Sequence, residues 1–394
     1  MVRKLNDKVS YIGCDDTTLD LFESQYIVPE GVSYNSYLIQ DERIAIMDTA
    51  DARAAEGWEA NLREALAGRE PDYLVVHHME PDHSALIARA LQAWPSLKLV
   101  ASAQAIRMLP QFFENIALDG RTVAVKEGDT LELGEHSLRF IAAPMVHWPE
   151  VLMSFDAADG ALYSADAFGK FGALGTCGFY GREDSDWACE ARLYYFNIVG
   201  KYGAQVQQVL SKAASLPIST IRPLHGPILE DDLPYYIGLY DIWSRYAPET
   251  EGVFVACASI HGGTLAAAEK LADILREKGA AKVVLSDLTR SDFAENVEDA
   301  FRYPRIVFAA SSYDAGLFTP MYEFLHRLQI KGYCKRRVAI VENGSWAPSA
   351  GRVMKEMLAQ MKEIETVEPV VTIRSRMKEA DIPALEALAD AILA

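Results

Sequence analysis

Four side chains able to hold a metal ion, His78, Glu80, Asp82 and His83, fall within six residues of the stretch His77-His78-Met79-Glu80-Pro81-Asp82-His83-Ser84. Imidazole nitrogens and carboxylate oxygens are the donors that borderline and hard transition-metal ions take, and one divalent ion does not need so many in one loop. The plainer alternative is a solvated loop in which Asp82 caps the next helix. Three more donors weigh against it: His147 in Ala-Pro-Met-Val-His-Trp-Pro, Asp166 in Leu-Tyr-Ser-Ala-Asp-Ala-Phe-Gly and His225 in Ile-Arg-Pro-Leu-His-Gly-Pro. Each ends an apolar, strand-like run, so all seven donors are expected in loops.

The elements that must position them are legible from periodicity. Tyr73 to Val76 is a buried-strand pattern and Ser84 to Ala93 has helical spacing, so the first cluster occupies a strand-to-helix turn, where α/β proteins carry chemistry. Further strands are expected at Tyr37-Leu-Ile, Ile44 to Met47, Leu97 to Ala101, Thr122 to Val125 and Ser137 to Ala142. Helices are expected at Ala54 to Ala67, Arg192 to Ala214 and Leu233 to Trp243. The stretch Tyr246 to Gly252, with proline, glycine and charge but no apolar periodicity, is expected to be a linker.

Beyond it the pattern becomes regular. Strands at Val253 to Ala258, Lys282 to Leu285, Arg305 to Ala310, Arg337 to Val341 and Pro369 to Ile373 alternate with five helices, which predicts a doubly wound parallel sheet with its ligand at the strand carboxyl ends. The loop after the first of these strands is Ser259-Ile260-His261-Gly262-Gly263-Thr264, directly before a helix, and suits a phosphate held by backbone N–H groups. It has neither the lysine of a nucleotide-triphosphate loop nor the glycine spacing of a dinucleotide fold. The next loops, Ser311-Ser312-Tyr313-Asp314-Ala315-Gly316 and Asn343-Gly344-Ser345-Trp346, add two flat aromatic faces among small polar residues, which fits a flavin.

Composition narrows the class. The chain has 394 residues, half of them hydrophobic, and 56 acidic against 38 basic side chains give a net charge of −18. That length predicts two domains, and that charge argues against nucleic acid or an anionic membrane as a partner. No apolar run approaches a membrane span and the first residues have no signal-peptide pattern, so the expected location is cytoplasmic. The five scattered cysteines include no C-x-x-C pair, which speaks against zinc ribbons, iron–sulfur clusters and a fused rubredoxin.

Taken together, His78-x-Glu80-x-Asp82-His83, His147-Trp-Pro, Asp166-Ala-Phe-Gly, His225, Asn35-Ser-Tyr-Leu-Ile and the three loops of the second half resemble the flavodiiron proteins, or A-type flavoproteins, over essentially the whole chain. The resemblance implies a metallo-β-lactamase-like αββα sandwich over residues 1–248, then a flavodoxin-like domain with a five-stranded parallel sheet over residues 252–394. It implies one iron held by His78, Glu80 and His147, a second held by Asp82, His83 and His225, and Asp166 bridging them. In some relatives the histidine at the His83 position swings out. The family often carries a histidine near the pocket before the first strands, where this chain has Leu21-Phe-Glu-Ser-Gln-Tyr26.

The implied activity is reduction of O2 to water, of NO to N2O, or both, with FMN relaying electrons from a separate rubredoxin or similar carrier. The implied assembly is a head-to-tail homodimer, or a dimer of such dimers, that brings the FMN of one chain to the irons of the other. Two other classes compete: a binuclear zinc hydrolase of the same fold and a non-enzymatic electron carrier. The first is disfavoured because such hydrolases have histidine where this chain has Glu80, and carboxylates at Glu80, Asp82 and Asp166 suit ferric iron better. The second leaves seven donors without a purpose.

Overall fold

The computed structural model describes residues 2–394, which divide into one compact unit ending at Asp241 and another from Ile242 to Ala394. The division falls inside the helix Leu233–Ser244, upstream of the expected linker. Within the second unit that stretch is held firmly. The Trp243 indole donates to Glu249 at 2.7 Å, and the Tyr246 carbonyl accepts from the buried Arg336 guanidinium at 2.7 Å.

Two large sheets build the first unit, beside two small two-stranded ones. One runs in the order Arg3–Lys4, Val9–Tyr11, Tyr37–Gln40, Ile44–Met47, Tyr73–Val75, Lys98–Ser102 and Thr122–Val125. Its last four strands are parallel, and the helices Ala55–Leu66 and Ala103–Phe112 lie in crossovers between them. The other sheet orders Thr130–Glu132, Ser137–Ala142, Leu152–Asp156, Ala161–Tyr163 and Thr220–Arg222. Its final pair is parallel, so Asp166 and His225 emerge from neighbouring strand ends on the same side.

The apolar faces of the sheets meet in one core, with Tyr37, Ile39, Met47, Val75 and Val100 from the first and Leu138, Phe140, Leu152 and Tyr163 from the second. Each fully buried side chain of this size contributes roughly 1.5–3 kcal/mol, and that sum offsets the cost of burying charged donors at the sheet ends. The helix Ala55–Leu66 turns Trp58, Leu62 and Leu66 inward, and the Trp58 indole donates to the Ser36 hydroxyl at 3.0 Å. This is the metallo-β-lactamase-like layering.

One expected helix is interrupted. Residues 192–214 form the end of Trp187–Tyr194, a wide turn at Tyr195–Val199, a tight turn at Gly200–Tyr202 and the helix Gly203–Ala213. Gly200 sits where an added Cβ would lie 3.2 Å from the Tyr195 carbonyl oxygen, so the chain bends there at a residue that tolerates the close approach.

The second unit orders its strands Val283–Asp287, Val253–Ala258, Arg305–Tyr313, Arg336–Asn343 and Ile364–Thr366, all parallel. The second strand in sequence lies outside the first, which is the flavodoxin-like order, and it leaves a crevice between the first and third strands at their carboxyl ends. The fifth position is shared with Val371–Ile373, which also pairs with Arg336–Asn343. Pro369 lies between the two pieces and has no N–H to give the ladder.

Candidate functional site

All seven sequence-selected donors converge at the carboxyl ends of the two sheets in the first unit. His78, Glu80, His147 and Asp166 bring one donor atom each to within 4.8 Å of one another, and so do Asp82, His83 and His225. Tyr73–Val75 delivers the loop, and Pro81 opens a single helical turn, Pro81–Ser84. The N-cap of that turn is Glu80, without a side-chain capping bond. Asp82 therefore does not cap, and turns inward instead.

Asp166 stands between the groups. Its Oδ2 lies 3.2 Å from His78 Nε2 and 3.1 Å from His147 Nε2, while its Oδ1 lies 3.2 Å from His83 Nε2 and 3.8 Å from His225 Nε2. Glu80 Oε2 closes the first group at 3.0 Å from His147 and 3.3 Å from His78. Asp82 Oδ2 closes the second at 3.2 Å from His225 and 3.3 Å from His83. His83 points inward, with its Nε2 3.0 Å from His225 Nε2.

These atoms lack the partners a metal-free interior would need. Both oxygens of Asp82 and both of Asp166 are buried with no well-aligned hydrogen bond and only imidazole nitrogens beside them, a condition that costs several kcal/mol per charged group unless a cation, metal or imidazolium, balances it. The donor set therefore fits two metal ions, with one carboxylate shared between them.

The acid–base state points the same way. Burial alone pushes His78 down, yet the Asp166 charge and contacts with Asp166, Glu150 and Glu80 hold its pKa well above the ordinary imidazole value. Burial likewise opposes protonation of His147, but Asp166 and Glu80 raise it to about 9. Burial would raise Asp166 and Glu80, and the surrounding imidazoles outweigh it, pulling both down. Without metal, protons balance the carboxylates.

Sequence reading missed the groups that aim the ligands. Glu150 accepts from His78 Nδ1 at 2.8 Å, and the Ser33 carbonyl accepts from His225 Nδ1 at 2.7 Å. Asp48 accepts from the His77 backbone N–H at 2.7 Å, and Thr49 donates to the His83 carbonyl through its hydroxyl at 2.6 Å and its N–H at 2.9 Å. Asp48-Thr49 follows the strand Ile44–Met47, and Glu150 follows His147-Trp-Pro.

The hairpin of Leu21–Phe22 and Tyr26–Ile27 supplies part of the pocket wall. Phe22 packs edge-on against His225 at 5.4 Å, and Tyr194 lies 5.7 Å from the same ring. Gln25 stays exposed and donates to Glu23, so the residue this hairpin sets against the donors is apolar. On the other side the Trp148 ring packs edge-on against His78 at 5.2 Å.

In the second unit, the loops 259–264, 311–316 and 343–346 lie at the carboxyl ends of the first, third and fourth strands in sequence order. Gly262 precedes the helix Gly263–Glu277 without a side-chain cap, and the buried Ser259 hydroxyl has no hydrogen-bond partner, as a phosphate cradle requires. Trp346 is 91% exposed and Tyr313 47%, two uncovered aromatic faces beside that cradle's sheet edge. These features fit a flavin mononucleotide.

Not every residue selected for these loops is available to a ligand. The Ser312 hydroxyl accepts from Ser349 N–H at 2.8 Å and Ala350 N–H at 3.1 Å, so it tethers the start of the helix Ala350–Leu358. The Asn343 amide is engaged with the Ser375 backbone, donating to its carbonyl at 2.9 Å and accepting from its N–H at 3.1 Å. Ser375 lies after the fifth strand, outside the three loops that the sequence pattern singles out. It also explains Gly263, where a Cβ would fall 2.3 Å from the Ser375 carbonyl oxygen.

Fold and site together define a two-domain protein in which a metallo-β-lactamase-like unit carries a paired metal centre and a flavodoxin-like unit carries the flavin loops. The family profile described as "ODP family beta lactamase" matches residues 32–226. Diflavin flavoprotein A 1 of Synechocystis is 30% identical over 61% of this chain and 41% of its own length. The anaerobic nitric oxide reductase flavorubredoxin of Vibrio vulnificus is 27% identical over 79% of this chain and 64% of its own. The rubredoxin oxygen:oxidoreductase structure from Desulfovibrio gigas superposes with a TM-score of 0.93 at 22% identity, covering 100% of this chain and 98% of that one. The chain shares the fold of these flavodiiron proteins over its whole length. It spans less than half the length of the diflavin relatives it matches.

Metal uptake follows from the proton balance. The neighbouring carboxylates favour a proton on His78 and on His147 when no metal is bound, and a metal ligand must be neutral imidazole. Loading metal-free protein with Co2+ in weak buffer therefore releases protons, measurable with a pH indicator, and uptake weakens as the pH is lowered from 9. Uptake with no proton release would contradict this assignment.

Proposed function

We propose that this chain is an oxidoreductase that reduces O2 to water, NO to N2O, or both at a non-haem diiron centre, with FMN receiving electrons from an external carrier such as a rubredoxin. The observation that carries the reading is Asp166, whose two oxygens face different histidine groups. Three carboxylates among seven donors favour iron over zinc, and Glu80 stands where a hydrolytic centre would have imidazole. In this reading His78, Glu80 and His147 hold one iron and Asp82, His83 and His225 the other, with Asp166 shared.

Bound iron would supply gas binding and two electrons, and reduced FMN two more. O2 with four electrons and four protons gives two waters; two NO with two electrons and two protons give N2O and one water. The chain's own residues set the conditions. Phe22, Tyr194 and Trp148 wall the centre with apolar surface, suited to a small apolar gas and poor in competing water. Loops 259–264, 311–316 and 343–346 orient the flavin, phosphate at the Gly263 helix start and ring against Tyr313 and Trp346.

We further propose a cytoplasmic head-to-tail homodimer, alone or paired into a tetramer, in which each flavin serves the partner's irons. Among the described residues no helix is long and apolar enough to cross a membrane. A closed two-fold arrangement is the common way for one chain to complete another's site.

Asp166→Asn removes the shared anion. Anaerobic iron loading is expected to fall below two ions per chain, gas reduction by about 10-fold or more, and FMN content not at all. Two irons retained with full O2 and NO turnover would refute the bridging role, and two tightly held zincs with hydrolytic turnover would replace the reductase reading.

Trp346→Ala removes an aromatic face worth about 0.5–1.5 kcal/mol, so FMN should bind about 2- to 10-fold more weakly while iron content stays constant. Fluorescence titration of the flavin-free protein reads this directly. An unchanged dissociation constant and flavin potential would remove Trp346 from the site.

Mixing Asp166→Asn chains with Trp346→Ala chains stripped of their FMN, with no free flavin added, tests the assembly. Each mixed dimer holds one intact flavin–iron pair across the interface, so activity should reappear on subunit exchange. Confirmed heterodimers that stay inactive would mean transfer within a single chain.

A further inference from the structure

The two metal positions have different surroundings beyond their donor atoms. Glu150 is buried, and its Oε1 accepts from His78 Nδ1 at 2.8 Å and from the Met79 backbone N–H at 2.9 Å. Its Oε2 is buried with no hydrogen-bond partner, so the Met79 N–H and the His78 ring alone meet the carboxylate. The imidazole of His78 is the group against which that charge rests. Its Nε2 faces Glu80 and Asp166 at 3.3 and 3.2 Å, the direction a metal would occupy.

The other group has nothing equivalent. His225 Nδ1 donates to a neutral acceptor, the Ser33 carbonyl, at 2.7 Å. His83 Nδ1 is buried and has no partner. Thr49 fixes the His83 backbone carbonyl but leaves the outer ring nitrogen unsupported. A carboxylate behind an imidazole orients the ring, keeps its proton on the far nitrogen and makes the near nitrogen a stronger donor. A carbonyl orients without adding charge, and an unsupported ring gains neither.

We infer that Glu150 is a positioning residue that makes the two metal positions unequal, so that the position containing His78, Glu80 and His147 binds its ion more tightly and fills first. The inference rests on the two-metal reading above and adds an order of occupancy to it. The buried, uncompensated Oε2 has a role on this account. A cation beyond the ring gains from the Glu150 charge acting through the imidazole, and the rings of the other position have no carboxylate behind them.

The test is a Co2+ titration of the metal-free full-length protein, followed by cobalt absorption and by dialysis with metal analysis. The native chain should bind two ions in two resolved steps. Glu150→Gln keeps an oxygen that can accept from His78 and Met79 but removes the charge. It should weaken the first step by about 10- to 100-fold, leave the second unchanged and draw the two together. Glu150→Ala should lose at least as much. A role limited to filling space predicts a Gln variant indistinguishable from the native chain. The near-isosteric Gln variant, with an unchanged circular dichroism spectrum, carries the test if the Ala variant fails to fold. Two equal steps in the native protein, or a native first step in Glu150→Gln, would overturn the inference while leaving the two-metal reading intact. Fewer than two bound ions in the native chain would overturn both.

Discussion

Carboxylate oxygens buried without donors impose the constraint on which the first unit depends. Asp82 and Asp166 place four such atoms among imidazole nitrogens, where no backbone N–H group satisfies them. Charges removed from water cost several kcal/mol each, and the apolar contact between the two sheets is what sustains that expense. Metal ions held there would turn a destabilising cluster into a cross-link among loops that follow four different strands. A centre assembled this way has its donors held by the sheets rather than by one flexible segment.

The loops are gripped from behind by groups that never reach a metal. His77 and His78 are adjacent yet point to opposite sides, as extended backbone requires. His78 faces the donors. His77 turns into the core, where Asp48 lies 2.5 Å from its Nδ1, Ser154 2.8 Å from its Nε2, and Tyr163 stacks on its ring. The order Ser154, His77, Asp48 matches the arrangement of a nucleophile, base and orienting acid, but all three are fully buried and no substrate can approach Ser154. The row instead pins the strand end from which the ligand loop departs. Asp48 grips His77, Thr49 grips His83, and together they hold both ends of the segment that carries four donors.

The flavodoxin-like unit solves a different problem, holding a large planar ligand without metal. Its helix start at Gly263 is left uncapped, and the Ser375 loop closes so tightly over Gly263 and Asn343 that only glycine fits at the first. The aromatic faces remain open to solvent while the polar cradle is built into the sheet edge. The metal-type donors and the flavin-type loops thus have separate cores. Each unit can be tuned by its own packing, because the metal shell depends on buried charge and the flavin loops on backbone geometry.

Much of this was written in local sequence. Apolar periodicity located the parallel strands of both units, and donor residues at strand ends marked all seven positions that converge, because short polar loops after apolar runs can hardly lie elsewhere. The flavin loops were legible from small residues and aromatics at three successive strand ends. Other features depended on long-range packing. That Ser312 ties down a helix and Asn343 a neighbouring loop, that Gly200 breaks a helical pattern, and that Phe22 rather than Gln25 meets His225 all follow from contacts between segments far apart in the chain. So does Glu150, one acid among 56 acidic residues by sequence, which acquires meaning only when folding places it 2.8 Å behind His78. Sequence alone determined which side chains could serve as donors, because donor chemistry belongs to the residue. Tertiary structure decided which were paired, supported or diverted, because distance and burial belong to the fold.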